Sequence, residues 1–390
     1  MQGTAAAPTA PTTSDATTSD SFAAGSVAAF AADLAARLAD QPDNRFQGMP
    51  SDADSRSAYA AYGRAGLIGL HWDEAHGGRG LHPRDTDALE ETFGYHWLPL
   101  SGYLLSVKTI GNALRKFAEP ALADRLLPRI AAGDLLFCQG FSEPDAGSDL
   151  ASLRTRAVRD GDDYLVTGRK IWTSSAEHAD WCYLAVRTDP DPAKPRHRGI
   201  SVLVCDMDTP GIQVGTHATL GGGTLGELTL DEVRIPASQL VGAPEGGWKV
   251  LMGTLDYERV TSEKVGIARR VLEELAPYAH GSADRLALLR LTGEVQACRA
   301  LGARATELLA AGRPSSEASS MAKLSVSYLL QRIARTAAEL LGPQLFVEDG
   351  ADAVFDGRLA AFHRATVATT IAGGASDIQR RVIAGRGLLC

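Results

Sequence analysis

Four short stretches combine residue types that can do chemistry. The first, Ile371–Arg380, reads I-A-G-G-A-S-D-I-Q-R. Ser376 with Gln379 three residues on has the form of a capping box. Ile378, Val382 and Ile383 then recur at helical spacing, so a helix begins here. Gly373 and Gly374 stand just before it, placing unencumbered backbone N–H groups at the positive end of a helix, where a developing negative charge is stabilised. The stretch holds no base that could create that charge. The second, Leu255–Val260 (L-D-Y-E-R-V), offers one in Glu258; taken alone, Glu258 reads as a surface helix residue paired with Arg259 or Lys264. The third, Phe141–Leu150 (F-S-E-P-D-A-G-S-D-L), is dense in turn formers and hydroxyls and alone reads as an interdomain linker. The fourth, Lys170–Ser175 (K-I-W-T-S-S), sets an indole beside hydroxyls and alone reads as a strand whose Trp172 fills a core.

The elements that must position these residues fall into three regions. Residues 22–137 have a helical pattern: Val27, Phe30, Leu34 and Leu38 form one stripe, and Leu126, Leu127 and Ile130 close a helix that stops at Gly133. Over 138–243 the pattern changes to short runs rich in Val, Ile, Thr and aromatics, 164–167, 181–186, 200–204 and 212–214, with Pro, Gly and Asp between them. This predicts an antiparallel, barrel-like β-domain. From 244 to 390 the helical pattern returns. Leu330, Ile333, Ala337, Leu340 and Leu341 form a stripe ended by Gly342, as expected of a four-helix bundle. The fold class is therefore α+β and multidomain: helical, then β, then helical. Residues 1–21, made of Ala, Thr, Pro and Ser with acidic interruptions, cannot build a core and read as a disordered tail without the basic and apolar segments of a secretion signal.

Composition narrows the function. With 390 residues and 45% hydrophobic content the chain can bury a large core. A formal net charge of -8 argues against nucleic acid as the main partner. No apolar run reaches the length of a membrane span. The five cysteines and nine histidines follow no metal-ligand spacing, so no metal is expected, and the odd, scattered cysteines suit a reduced cytoplasmic setting.

In this order and register the stretches resemble the acyl-CoA dehydrogenase family of flavoproteins. The resemblance covers nearly everything after residue 22. It includes W-D-E-A-H-G-G-R-G at Trp72–Gly80, S-E-P-x-A-G-S-D from Ser142, K-I-W-T-S from Lys170, Gly199-Ile200-Ser201 with Pro210-Gly211, Val233–Pro236, and the closing G-G-x-S-x-I-Q-R. It implies FAD between the β-domain and the C-terminal bundle, with Phe141 and Ser142 at the isoalloxazine and Trp172, Thr173 and Ser174 covering it. Ser148 would lie along the pantetheine arm of an acyl-CoA or acyl-carrier-protein substrate. The implied reaction is α,β-dehydrogenation of the acyl thioester. Many members carry the base in the last motif, where this chain has Gly373; others carry it on the first bundle helix, where Glu258 stands. Glu258 is then the α-proton base, the Gly373 N–H an oxyanion donor, and Arg259 a contact for the thioester's carrier portion.

Two family features are missing. Tyr278–Arg285 does not carry the R-x-x-F-G that reaches a neighbouring subunit's flavin, and Glu339–Pro343 replaces the Q-x-x-G-G near the cofactor's pyrophosphate. The resemblance implies a homodimer or homotetramer, and these losses add a heteromer as the alternative, with an electron-transfer flavoprotein or a similar acceptor as redox partner. Competing readings are a flavin oxidase, an N-hydroxylase or carrier-bound tailoring enzyme on the same scaffold, and a non-catalytic partner subunit.

Overall fold

The computed structural model describes residues 24–39, 52–191, 193–220 and 223–387. The expected tail at 1–21 lies outside them. The N-terminal region is α1 (Ala24–Ala39), α2 (Asp52–Arg64), α3 (Pro83–Tyr95), α4 (Ser101–Tyr103), which runs through a π-helical stretch (Leu104–Gly111) into α5 (Asn112–Phe117), and α6 (Pro120–Ala131). The stripe on α1 is buried at Val27, Leu34 and Leu38, and Phe30 packs against the same core. Gly133, with φ +79°, follows the end of α6. The H-G-G turn after Trp72 is as tight as its glycines suggest. A Cβ on Gly78 would stand 2.1 Å from the Trp72 carbonyl oxygen, which no side chain tolerates. That turn seals the fully buried indole, whose Nε1 donates to Asn112 Oδ1 at 3.1 Å.

The middle region is one sheet of β1 (Phe137–Gly140), β2 (Arg156–Asp160), β3 (Asp163–Thr173), β4 (Trp181–Arg187), β5 (Ile200–Asp206), β6 (Ile212–Ala218), β7 (Thr224–Pro236) and β8 (Leu240–Val241). The strand order is β6-β7-β3-β2-β4-β5-β8, with β1 added to β4. The expectation of an antiparallel domain needs one correction: β1 pairs with β4 in parallel, and β2 touches β4 in parallel at Arg156 and Arg187. The reason lies in chain path, since β1 enters the sheet directly from the helical region and not through a hairpin. Strand β4 reads as an unbroken apolar run because both of its faces are covered. Trp181, Tyr183 and Ala185 join the core of the N-terminal helices, whereas Cys182, Leu184 and Val186 join the core on the sheet's other face.

The C-terminal region is α7 (Gly247–Glu258), α8 (Ser262–Leu275), α9 (Ser282–Ala310), α10 (Ser316–Leu341), α11 (Arg358–Ala368) and α12 (Ser376–Gly387). Helices α8 to α11 share one apolar core that includes Val271, Leu291, Leu330, Ile333, Ala337 and Leu359. Helix α10 ends at Leu341, with Gly342 at φ +54° as its stop. No helix is long and apolar enough to cross a membrane among the described residues.

Candidate functional site

Glu258 is the last residue of α7, and the structure brings it to the two-glycine turn. A Cβ on Gly373 would stand 3.1 Å from Glu258 Oε1, so the carboxylate lies directly over that glycine. The surface-pair reading of Glu258 does not hold. Arg259 pairs with Asp256 (3.4 Å) and Lys264 with Glu263 (3.2 Å), and Glu258 Oε2 is buried with no hydrogen-bond partner. Burial pushes the Glu258 carboxyl above its ordinary value, opposed by Arg259, the Gln139 amide of β1, Lys264 and Lys323.

Gly373 (φ +65°) and Gly374 (φ +95°) both take left-handed backbone that side chains rarely adopt. Their N–H groups donate to no backbone carbonyl among the described residues. The expected capping box does not form. Ser376 Oγ donates to the Thr370 carbonyl at 3.4 Å. The Gln379 amide, fully buried, donates to the carbonyls of Gly373 (3.0 Å) and Gly374 (2.9 Å). The exposed carbonyls of the turn outcompete the helix end for these side chains. Ile378, Val382 and Ile383 are only half-buried, so the buried anchor of α12's first turns is polar.

Arg259, expected to contact the carrier portion of the thioester, is buried beside the turn. Its side chain is enclosed, with Nη2 3.7 Å from where a Gly374 Cβ would stand and Nε without a partner. Burial lowers its proton affinity, while Asp256 and Glu258 raise it.

The sheet supplies the other wall. Ile171 N–H donates to the Ser142 carbonyl at 2.9 Å, which ties the two sequence-distant stretches together. Lys170 Nζ, fully buried, donates to the Phe141 carbonyl (3.2 Å) and to Glu143 (2.7 Å). Glu143 also accepts from the N–H groups of Arg154 (2.6 Å) and Thr155 (2.8 Å), so one buried ion pair braces the whole turn. Ser148 is exposed on that turn, Phe141 is buried against Tyr183, and Ser142 and Ser174 are half-buried. Trp172 does not fill a core: it is 59% exposed, at φ +58°, where β3 slips register between Lys170 and Thr173. Thr173 beside it is enclosed, with its hydroxyl unpartnered. A left-handed tryptophan that gains no burial costs about 1–3 kcal/mol that its own chain does not recover. A flat apolar group laid on the indole would recover it, so the residues present fit a flavin ring on this wall.

Tyr257 and Val260, which bracket Glu258 and Arg259, also line a cavity of about 580 Å³ with His71, Asn112, Arg115 and Thr306. Burial lowers the His71 pKa to about 4, leaving the ring neutral between Thr86 and Asn112. Sequence reasoning missed Gln139, Asp256 and Lys323. For Lys323 a signal existed: Ser316, Ser320, Lys323 and Ser327 recur at four, three and four residues, placing polar groups on one face of α10.

Comparison with known proteins places the whole architecture. Three family models match, describing the N-terminal, middle and C-terminal domains of acyl-CoA dehydrogenase, over residues 20–134, 138–233 and 245–388. Among curated relatives, acyl-CoA dehydrogenase IpdE1 of Mycobacterium tuberculosis is 36% identical, covering 83% of this chain and 85% of the relative. Acyl-CoA dehydrogenase FadE26 of the same organism is 31% identical, covering 84% and 86%. Among solved structures, the Tcur3481-Tcur3483 steroid ACAD superposes with a TM-score of 0.83 at 28% identity, covering 94% of this chain and 98% of that one. The ChsE4-ChsE5 complex from Mycobacterium tuberculosis gives 0.79 at 29% identity, covering 94% and 97%.

Proposed function

The chain belongs to the acyl-CoA dehydrogenase family of flavoprotein oxidoreductases, and from that premise we propose that it dehydrogenates an acyl thioester at the α,β-bond, with Glu258 as the base. Bound FAD supplies the acceptor for the hydride that leaves the β-carbon. The observation that carries the proposal is the Glu258 carboxylate itself: one oxygen buried and unpartnered, the other over Gly373. A desolvated carboxylate takes up a proton readily, as removal of a weakly acidic α-proton requires. The Gly373 N–H receives the enolate oxygen, so the charge made by Glu258 is met one short step away. Trp172, Thr173 and Ser174 would cover the flavin ring, Phe141 and Ser142 would contact it, and Ser148 would lie along the pantetheine arm. Arg259 fixes the Glu258 side of the turn through Asp256.

The missing contacts for the cofactor's remote end are assigned to a second chain. The stretch at Tyr278–Arg285 uses its polar groups locally, with Asp284 capping Gly281 and Arg285 bonded to the Ala279 carbonyl. A heteromer, as in the two-component complexes named above, fits this better than a homo-oligomer. An electron-transfer flavoprotein is the acceptor proposed. The cavity beyond Tyr257 has room for an acyl group larger than a short linear chain.

The test is an anaerobic visible titration of the purified protein. The panel contains CoA and carrier-protein thioesters with linear, branched and ring-bearing acyl groups. Bleaching of the flavin band by one of them, lost in Glu258→Gln, is the expected result. Equal bleaching in Glu258→Gln sinks the assignment of the base, and a purified chain that carries no flavin sinks the flavin reading.

A further inference from the structure

The two glycines of the turn have no side chains with which to hold themselves, yet their direction decides whether their N–H groups meet a charge at Glu258. What holds them is on α10 and α12. Along one face of α10, Ser316 Oγ donates to Asp256 Oδ2 (2.7 Å), Lys323 Nζ to the Gly374 carbonyl (2.8 Å), Ser327 Oγ to the Thr369 carbonyl (2.8 Å), and Gln331 Nε2 to the Thr366 carbonyl (3.3 Å). These donors recur at seven, four and four residues, one helical face. Each meets the C-terminal end of α7, the glycine turn or the end of α11. Lys323 is 5% exposed and forms no ion pair with any carboxylate among the described residues, so its ammonium is committed to one backbone oxygen.

We propose that Lys323 and Gln379 are positioning residues that clamp the Gly373 and Gly374 carbonyls from two sides and so aim the N–H groups of that turn at the Glu258 site. The clamp rests on the reading of Glu258 given above. In a trans peptide unit the C=O of one residue points opposite to the N–H of the next, so fixing the Gly373 and Gly374 carbonyls on the α10–α12 side turns the Gly374 and Ala375 N–H groups away from it and pins the chain that carries the Gly373 N–H. The lysine brings a second effect. It faces Lys264 of α8, Glu258 at the end of α7 and Arg259 just after it, and burial, with those two cations, lowers its pKa to about 8. As one of the cations around Glu258, it favours the ionised base.

The test compares Lys323→Met, Lys323→Gln, which keeps a donor, and Gln379→Leu with the wild type as FAD-loaded protein. The substrate is whichever thioester of the panel reduces the wild-type flavin fastest. The rate of flavin reduction per bound flavin is expected to fall at least tenfold in Lys323→Met and Gln379→Leu, less in Lys323→Gln, with thioester affinity changed by under threefold. In Lys323→Met the acid limb of the reduction rate also moves to higher pH. Amide hydrogen exchange gives an activity-free readout: the 369–376 peptide should exchange at least tenfold faster in both, while the 181–187 peptide of β4 stays as in the wild type. Per-flavin rates within twofold of wild type, with unchanged exchange at 369–376, overturn the clamp. Equal acceleration in both peptides overturns it too, since that is general loosening. Failure of the underlying reading looks different, because the wild type itself then shows no bleaching, or Glu258→Gln bleaches equally.

Discussion

Gly373→Ala tests the closeness of Glu258 to the turn by the smallest available perturbation. The methyl group would stand 3.1 Å from Glu258 Oε1, whereas ordinary contact begins near 3.4 Å, so the carboxylate must retreat by a few tenths of an ångström. If a misplacement of about 1 Å costs about 100-fold in rate, a retreat of this size costs roughly fourfold. The backbone adds its own term: alanine at φ +65° is disfavoured by about 1–2 kcal/mol. Melting should therefore fall by a few degrees, at about 2–4 °C per kcal/mol for a chain of good size. The assay is stopped-flow flavin reduction under nitrogen, normalised to bound flavin, beside thermal melting of the same samples. Gly293→Ala is the control, because its methyl meets nothing within 4 Å inside α9 and helix propensity alone predicts no loss. Gly373→Ala with wild-type rate and wild-type melting would refute the placement of the carboxylate over the turn.

Further outcomes follow from the same geometry. Glu258→Gln should lower flavin reduction by about 10²–10⁴-fold. In the wild type the rate should rise with pH through a midpoint above that of an ordinary glutamate, as burial favours the protonated form; a midpoint at or below the ordinary value contradicts the desolvated base. Lys170→Met strands Glu143 in the interior and should cost about 3–5 kcal/mol, read by denaturant unfolding. Although burial pushes the Glu143 carboxyl up, Lys170 and the hydrogen bonds to it outweigh burial and hold it below its ordinary value. Its stabilising share is therefore present above the unfolded value and lost as pH falls through the folded one, and Lys170→Met should flatten that acid loss. Trp172→Ala, at a residue 59% exposed, should leave melting of the flavin-free protein within about 1 °C or raise it, yet reduce flavin retention on gel filtration. The folded chain releases the Lys323 proton near pH 8 and the unfolded chain near 10.5, so its contribution to stability rises across that window. A wild-type minus Lys323→Met stability difference that stays flat from pH 7.5 to 10 would count against this.

The helix-β-helix order was legible because each region's apolar period is carried by many residues, as in the α1 stripe and the runs that became β3 to β6. Strand β7 escaped notice since Gly226, Glu227 and the adjacent Asp231 and Glu232 break up the apolar run of Thr224–Pro236; it pairs with β6 before it and with β3, some 50 residues away. The parallel seat of β1 was likewise a long-range matter. In the site, Glu258 and Gly373 could be named from motif resemblance, but not that Arg259 would be enclosed, because exposure at a helix end depends on what packs over it. Nor could Cys138, Cys182 and Cys205 be seen as neighbours: they are scattered in sequence and aligned across three adjacent strands by register alone. The capping box failed for a physical reason. Helix N-cap rules weigh a side chain against its own helix's N–H groups, and here two glycine carbonyls that accept from no backbone N–H among the described residues lay equally close to Gln379.

That failure points to how the site is organised. A base carried on the last motif would anchor the turn through its own side chain. With glycine there and the carboxylate on α7, the turn gains room for Glu258 Oε1 at 3.1 Å from the missing methyl, but loses any means of fixing itself. Two glycines at φ +65° and +95° also have the widest conformational freedom of any residue type, so an unsupported turn would spend much of its time misdirected. The support must then come from outside, and it must come from donors, since the groups left to grip are carbonyls. Lys323 and Gln379 are such donors, each buried, reaching the turn from α10 and α12. Glu258 sits on α7, whose Val250 and Leu251 pack in the core shared by the N-terminal helices and β4, so its distance from the turn also depends on the link from Asp256 to Ser316 of α10. The same logic makes a quantitative demand: Lys323→Met and Gln379→Leu act on one turn, so the double variant should lose little more in rate than the more damaged single. Full additivity of the two losses would mean that they act on separate features.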